Sequence, residues 1–448
     1  MSSRGPSVVI LGGGPGGYEA ALVAAQLGAR VTVVDCDGLG GAAVLTDCVP
    51  SKTLISIAGD HRYARLGEIN RRILGLAQAQ SEDIHRRLES DGVRIVCGTG
   101  RLVSPTQVRA VLDDGSSEDL VAEVVLVATG AAPRIMATAQ PDGERILTWQ
   151  QIYGLADLPE RLVVVGSGVT GAKLAAAYLA LGSAVTLVSS RDRVLPGEDA
   201  DAAAVIEDVF RRNGMEVLDR SRMSSVERVG EEVRVHLEGG RVVTGTHALL
   251  ALGSIPRTAG IGLAEAGVEL APSGHVVVDG VSRTSVRSVY AAGDCNGRLP
   301  LASVAAMQGR IAMWHALGDA VAPLRLDIVS ANIFTTPEIA TVGVSQKDVD
   351  SGRVEAQSVT LPLDTNARAK MDDFEDGFVK LFARPGTGAV LGGVIVAPRA
   401  SELIYPVAMA VTYGLTVDQV AGTFTVYPSM TGSIAEAARR LHPRPLAR

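Results

Sequence analysis

Short apolar runs that break at glycine punctuate this chain. SVVIL at 7–11 gives way to GGGPGG at 12–17, then to the Ala/Leu-rich stretch YEAALVAAQLG at 18–28 and to RVTVVD at 30–35. A β-branched run, a glycine turn, a longer Ala/Leu stretch and a second β-branched run predict a β-α-β unit. The design recurs 154 positions on as RLVVVG, SGVTG, AKLAAAYLALG (172–182) and AVTLVS (184–189). Two such units form an internal repeat of dinucleotide-binding folds.

Each repeat closes alike. VVLVATGAAPR (124–134) and ALLALGSIPR (248–257) read as strands ending in a small-residue glycine turn, and SVYAAGDC (288–295) repeats the device before a helix from Leu301 to about Leu317. The stretch 53–90 reads as helices with Arg/Glu faces. After about residue 326 strands alternate with helices and no glycine loop appears, which predicts a separate C-terminal domain.

Composition narrows the class. A chain of 448 residues is too long for one core and implies two to four domains. Apolar residues make up 47% and charged residues 20%, as in a well-packed soluble protein. The net charge of −7 gives no electrostatic footprint for nucleic acid. No apolar run is long enough to span a bilayer, and VVILGG reads as a strand rather than the core of a signal peptide. Cys36, Cys48, Cys97 and Cys295 are scattered at no metal-ligand spacing, so a reducing cytoplasm is expected and no metal. Arginines outnumber lysines 37 to 5, which makes the place of each lysine informative.

The glycine loops carry the chemistry. Gly12, Gly14 and Gly17 form G-x-G-x-x-G between strand and helix, with Asp35 ending the next strand. Such glycines let a backbone approach a pyrophosphate, the helix N-terminus supplies N–H groups, and the acid accepts from an adenosine ribose hydroxyl. Gly166, Gly168 and Gly171 repeat the fingerprint, but Ser189 ends the second strand, followed by Ser190, Arg191 and Arg193. Without an acid a 2′-phosphate is not repelled and arginine can pair with it, so NADPH is expected, with some use of NADH. Solvated loop cations are the alternative for these arginines.

Two dinucleotide folds, the ATG and ALG turns, AAGDC and TTPEIATVG (335–343) together resemble the pyridine nucleotide-disulfide oxidoreductases of the lipoamide dehydrogenase type, over essentially the whole chain. The resemblance implies an α/β protein with two Rossmann-like dinucleotide-binding domains plus a C-terminal α+β dimerisation domain. FAD-binding parts are expected at 1–147 and 276–325, an NAD(P)-binding domain at 148–275 and an interface domain at 326–448. It further implies that Asp294 contacts the FAD ribityl chain, that Leu301 and Ala302 lie near the flavin, that Thr129 and Gly130 line the FAD, and that Gly100 faces the adenine. Gly41 and Gly253, in the matching glycine turns, join the cofactor set, as does Lys52.

The departures bear on the reaction. The family motif GGTCLNVGCIPSK reads GGAAVLTDCVPSK here (40–52): Cys48 and Lys52 match, and Ala43 replaces the first cysteine. A dithiol relay needs two sulfurs in bonding range, so none is expected. Near the C-terminus the family's H-P-x-x-x-E, which reaches the partner subunit's site, becomes VYPSMTGSIAE (426–436). Tyr427 stands at the histidine position and Gly432 at the glutamate position; Glu436 reads as a surface residue. GGAAVL, DCVPSK, GSGVTGA, TNARAKM and FTVYPSMTGSI are similar to the disulfide-lacking NAD(P)H:quinone reductase subgroup, which implies a homodimer passing electrons from flavin to a quinone-like acceptor near Cys48, Lys52 and Tyr427.

One position is harder to absorb. The family's second fingerprint ends in a glutamate that pairs with the PSK lysine, and here that residue is Lys173. Either Lys173 turns outward, or two ammonium groups share the site and make it electropositive. Cys48 is either a thiolate beside Lys52 or an inherited, unused thiol. Besides the quinone reductase, two readings stand: an oxidase, transhydrogenase or electron donor to a biosynthetic partner, which would consume oxygen or need that partner; and a redox-silent FAD-binding scaffold, whose flavin NAD(P)H would not bleach.

Overall fold

A computed structural model describes residues 5–58 and 65–442. The first apolar runs form the centre of a seven-stranded sheet, in the order Val289–Ala291, Val124–Val127, Ser7–Leu11, Arg30–Asp35, Arg94–Ser104, Gln107–Leu112, Ser117–Val121. Its first five strands run parallel, and the last two fold back antiparallel. Val124–Val127 is buried along its whole length, as expected of a parallel strand covered on both faces. Helices Pro15–Gln26 and Ala302–Ala316 pack side by side, and a Cβ at Gly309 would overlap the Gly16 carbonyl. That close approach brings both helix N-termini to one edge of the sheet.

The second repeat builds a parallel five-stranded sheet: Glu216–Leu218, Ala184–Val188, Arg161–Val165, His247–Leu250, Ile146–Thr148. Its edge strand begins at Ile146, two residues before the expected boundary at 148. A three-stranded antiparallel sheet (Met223–Val229, Glu232–Leu237, Val242–Gly245) lies alongside. The closing turns of the two repeats pair with each other, Ala131–Pro133 antiparallel to Ser254–Pro256, so the repeat is also a joint. The predicted helices of 53–90 are Cys48–Ala58 and Leu66–Ser90.

The C-terminal part is a five-stranded antiparallel sheet backed by helices Ala400–Tyr413 and Thr431–Arg440. It is fastened to the second repeat by one buried cation. Lys380, 2% exposed, places Nζ 3.0 and 2.9 Å from the two Asp199 oxygens and 2.6 Å from Asp201. Asp199 also caps helix Ala200–Arg212, accepting from the N–H groups of Asp201 and Ala202. Asp201 still meets the ammonium when Asp199 is removed. Asp199→Ala is expected to cost about 2 kcal/mol, from the lost cap and the loss of one of the two carboxylates on Lys380. Calorimetry should show a clearly lowered unfolding midpoint; an unchanged midpoint would contradict the role given to Lys380.

Candidate active site

The two glycine loops have the same local geometry. Gly14 and Gly168 precede their helices with nearly equal torsions (φ −67°, ψ −177° and φ −71°, ψ −174°). A Cβ at Gly17 would overlap the Gly12 carbonyl, and one at Gly171 would overlap that of Gly166. The side chain ending the next strand reaches back to the second loop residue in both. Asp35 Oδ2 accepts from the Gly13 N–H at 2.6 Å; Ser189 Oγ lies 2.7 Å from Ser167 Oγ.

A cleft of about 150 Å³ opens at the first loop. Gly12, Gly14, Asp35 and Gly41 line one part, Thr129, Gly130, Asp294 and Ala302 another, and Cys48 stands in its wall. Helix Pro15–Gln26 starts at this cleft with no side-chain cap and no acid in its first turn. Its free N–H groups and positive dipole end suit a pyrophosphate. Leu301 precedes helix Ala302–Ala316, whose uncapped N-terminus also opens here between Pro300 and Ala302. Asp294 is held by its turn: Gln308 Oε1 accepts from the Gly293 N–H at 2.8 Å and from Asn296 Nδ2 at 3.1 Å. Burial, then the neighbouring Asp47, push the Asp294 carboxyl above its ordinary range, with His275 opposing. These features fit FAD.

Several expected residues lie elsewhere. Ser189 is wholly buried, its hydroxyl held by Ser167 Oγ and the Arg191 N–H, so it shapes the loop, while its neighbours Ser190 and Arg191 are exposed. Gly100 lies outside the cleft wall, and a Cβ there would overlap Leu11; packing between strands accounts for that glycine. Gly253 (φ +85°) accepts from the Arg134 N–H at the joint between the repeats. Lys52 also lies outside the cleft wall, with Nζ 4.4 Å from the centre of the Phe334 ring. Tyr427 is 86% exposed and does not line this chain's own cleft. Glu436 is engaged on its own helix by Arg439 and Arg440, which hold its carboxyl down to about 2.

Lys173 neither points outward nor adds a free charge to the site. Its side chain is 10% exposed and Nζ lies 2.6 Å from Asp47 Oδ1. It is the fifth residue of helix Val169–Ala180, beyond the first turn where it would oppose the dipole most. Asp47 stands directly before helix Cys48–Ala58, where an acid is favourable. Of the two readings of Cys48, the unused thiol is the one its surroundings favour. Burial, then Asp47, push this thiol above its ordinary value, against the opposing pull of Lys52 and Lys173. All four cysteines are free, and Cys295 is buried with its thiol pushed up to about 12.

Among the cleft residues not expected from sequence are Asp37, Asp47, Trp149 and Arg257. Arg257 pairs with Asp37 across the cleft, donates its N–H to the Gly130 carbonyl at 3.0 Å and accepts from Thr129 Oγ1 at 2.7 Å. The signal for Asp47 was present, because an acid stands where the motif has glycine.

Comparison with known proteins follows from this geometry. The sequence model of the pyridine nucleotide-disulphide oxidoreductases matches residues 6–309, and that of their dimerisation domain matches 329–438. The chain belongs to this family. Family members bind FAD and NAD(P)H, and this protein is a flavoprotein oxidoreductase of that kind. It is 54% identical to a Mycobacterium tuberculosis protein named NAD(P)H dehydrogenase (quinone), over 97% of this chain and 93% of that one. It is 32% identical to dihydrolipoyl dehydrogenase 2 of Haloarcula marismortui, over 97% and 96%. The crystal structure of LpdA from M. tuberculosis superposes with a TM-score of 0.94 at 54% identity, covering 97% of this chain and 99% of that one. The flavoprotein disulfide reductase RclA of Escherichia coli shares the fold, with a TM-score of 0.89 at 24% identity, over 97% and 99%. Among the described residues no helix is long and apolar enough to cross a membrane, and no cluster of potential metal ligands occurs.

The loop geometry makes a direct prediction. Gly17→Ala forces a methyl group into the Gly12 carbonyl and displaces the loop that would meet the pyrophosphate. The purified variant should be colourless, with folded far-ultraviolet dichroism; full retention of yellow FAD would contradict the assignment of this cleft.

Proposed function

We propose that this protein transfers electrons from NAD(P)H through FAD directly to a quinone-like acceptor, without a redox disulfide. The observation that carries this reading is the wall at Ala43, Asp47 and Cys48. Alanine occupies the position of the first relay sulfur, and the remaining thiol is held neutral by burial and an adjacent carboxylate. A neutral, solitary thiol is a poor nucleophile and cannot close an intramolecular disulfide. The name of the 54% identical relative supports the same acceptor class.

FAD, when bound, supplies two-electron acceptance from a nicotinamide and release to a second acceptor. The protein's own part is binding, orientation and charge. The uncapped N-terminus of Pro15–Gln26 and the Asp35 carboxylate would hold the pyrophosphate and ribose; Asp294 and the N-terminus of Ala302–Ala316 would hold the other half. That second helix end favours negative charge developing beside it. Helix Val169–Ala180 offers the matching uncapped end to the nicotinamide dinucleotide, with exposed Arg191 placed to meet a 2′-phosphate. Tyr427 reaches a cleft only by crossing to a second copy, and the exposed Phe424, Val426 and Tyr427 on the dimerisation domain support a homodimer. The scaffold reading rested on an unopposed Lys173, and the Asp47 partner takes away that ground.

NADPH turnover should be rapid with menadione and absent with lipoamide or oxidised glutathione. Reduction of either disulfide at a comparable rate would overturn the reading. Arg191→Ala should raise KM for NADPH about tenfold, the worth of one exposed phosphate–guanidinium contact, and leave KM for NADH unchanged. Equal effects on both donors would remove Arg191 from the 2′-phosphate site.

A further inference from the structure

Lys173 and Asp47 belong to different units of the fold. Lys173 sits on the helix that begins at the second glycine loop, and Asp47 sits in the turn between helices Gly41–Leu45 and Cys48–Ala58, in the wall of the first cleft. Their 2.6 Å contact spans 126 positions of sequence. The same turn is tied once more, by Gln150 Nε2 donating to Thr46 Oγ1 at 3.4 Å. The Asp47 N–H is anchored by the Ala42 carbonyl at 2.7 Å, so the carboxylate has a fixed base.

We propose that Asp47 and Lys173 are a positioning pair that fixes the nucleotide-binding helix Val169–Ala180 against the acceptor wall of the flavin cleft. Neither residue touches the reacting atoms; each acts through what it holds. Lys173 sets how the helix that would carry the nicotinamide dinucleotide meets the cleft. Asp47 neutralises that lysine where the ammonium would otherwise stand unopposed beside Cys48. The proposal rests on reading the cleft as the flavin site, and it adds the residues that align the donor with it.

The pair has an electrostatic signature at Cys48, and its effect on flavin reduction and the rescue by arginine report the positioning role. The charged groups acting on Cys48 are Asp47, Asp294, Lys52 and Lys173, and their influences oppose one another. Removing Asp47 leaves two cations against the single carboxylate of Asp294, so the pKa falls and more thiolate is present at neutral pH. Removing Lys173 leaves the two carboxylates dominant, so the pKa rises. The two variants must therefore shift Cys48 in opposite directions, although both break the same ion pair.

The test is thiol modification of the holoenzyme with methyl methanethiosulfonate between pH 6 and 10, resolved to the Cys48 peptide by mass spectrometry. The exposed Cys36 and Cys97 serve as internal references in the same digest. Asp47→Asn should modify Cys48 about tenfold faster at pH 7.5, the effect of one pKa unit, and Lys173→Met should modify it more slowly than the native protein. Both variants should slow anaerobic flavin reduction by NADPH about tenfold, and Lys173→Arg should recover the larger part of that loss. Should Asp47→Asn not fold, the slower thiol of Lys173→Met and the Lys173→Arg rescue still decide the matter. Shifts of Cys48 in the same direction, or none, would overturn the proposal. The thiol readout uses neither donor nor acceptor, so its failure is distinct from a failure of the quinone-reductase reading.

Discussion

The fold turns on a backbone carbonyl pressed against a glycine. In each repeat a strand must turn into a helix so tightly that the third fingerprint glycine lies against the carbonyl of the first, and any Cβ would overlap it. This contact points an uncapped helix N-terminus along the sheet edge, leaving N–H groups without intrahelical partners. The strand-end side chain then ties off the loop, Asp35 to Gly13 in one repeat and Ser189 to Ser167 in the other. One steric constraint, used twice, builds both glycine loops.

Lysines mark the joints between the units, beside arginine pairs such as Arg257–Asp37 and Arg212–Asp376. Of five lysines in the chain, three sit at joints. Lys173 links the second repeat to the first through Asp47, Lys380 links the C-terminal sheet to the second repeat through Asp199, and Lys52 lies over Phe334 between the first repeat and the C-terminal sheet. Lysine is otherwise displaced by arginine, which makes the surface ion pairs such as Arg94–Glu118 and Arg109–Asp119.

Much of this was legible before the structure. The repeat, the strand-glycine-helix order and the place of Asp35 at the end of the next strand followed from local pattern, because sterics at a glycine turn are local. Lys173 was legible as an anomaly, yet its resolution was not, because the answer lay 126 positions away in a turn that sequence alone does not bring near. Ser189 was misjudged for a related reason: a serine ending a strand can face a ligand or its own loop, and only the position of Ser167 decides between them. Cys48 stood open between a thiolate and an unused thiol, and its burial beside Asp47 is what favours the second. Properties set by one stretch of chain were readable, and properties set by the meeting of two stretches were not.

The central claim is that electrons pass from flavin to acceptor with no thiol pair between them, and the stoichiometry of reduction tests it most directly. The purified yellow protein is titrated anaerobically with NADPH while the flavin absorbance near ~450 nm is followed. The account predicts complete bleaching at one equivalent per FAD, and full recolouring by one equivalent of menadione. Bleaching that lags until a second equivalent has been added would mean that the protein stores two further electrons, and would contradict it.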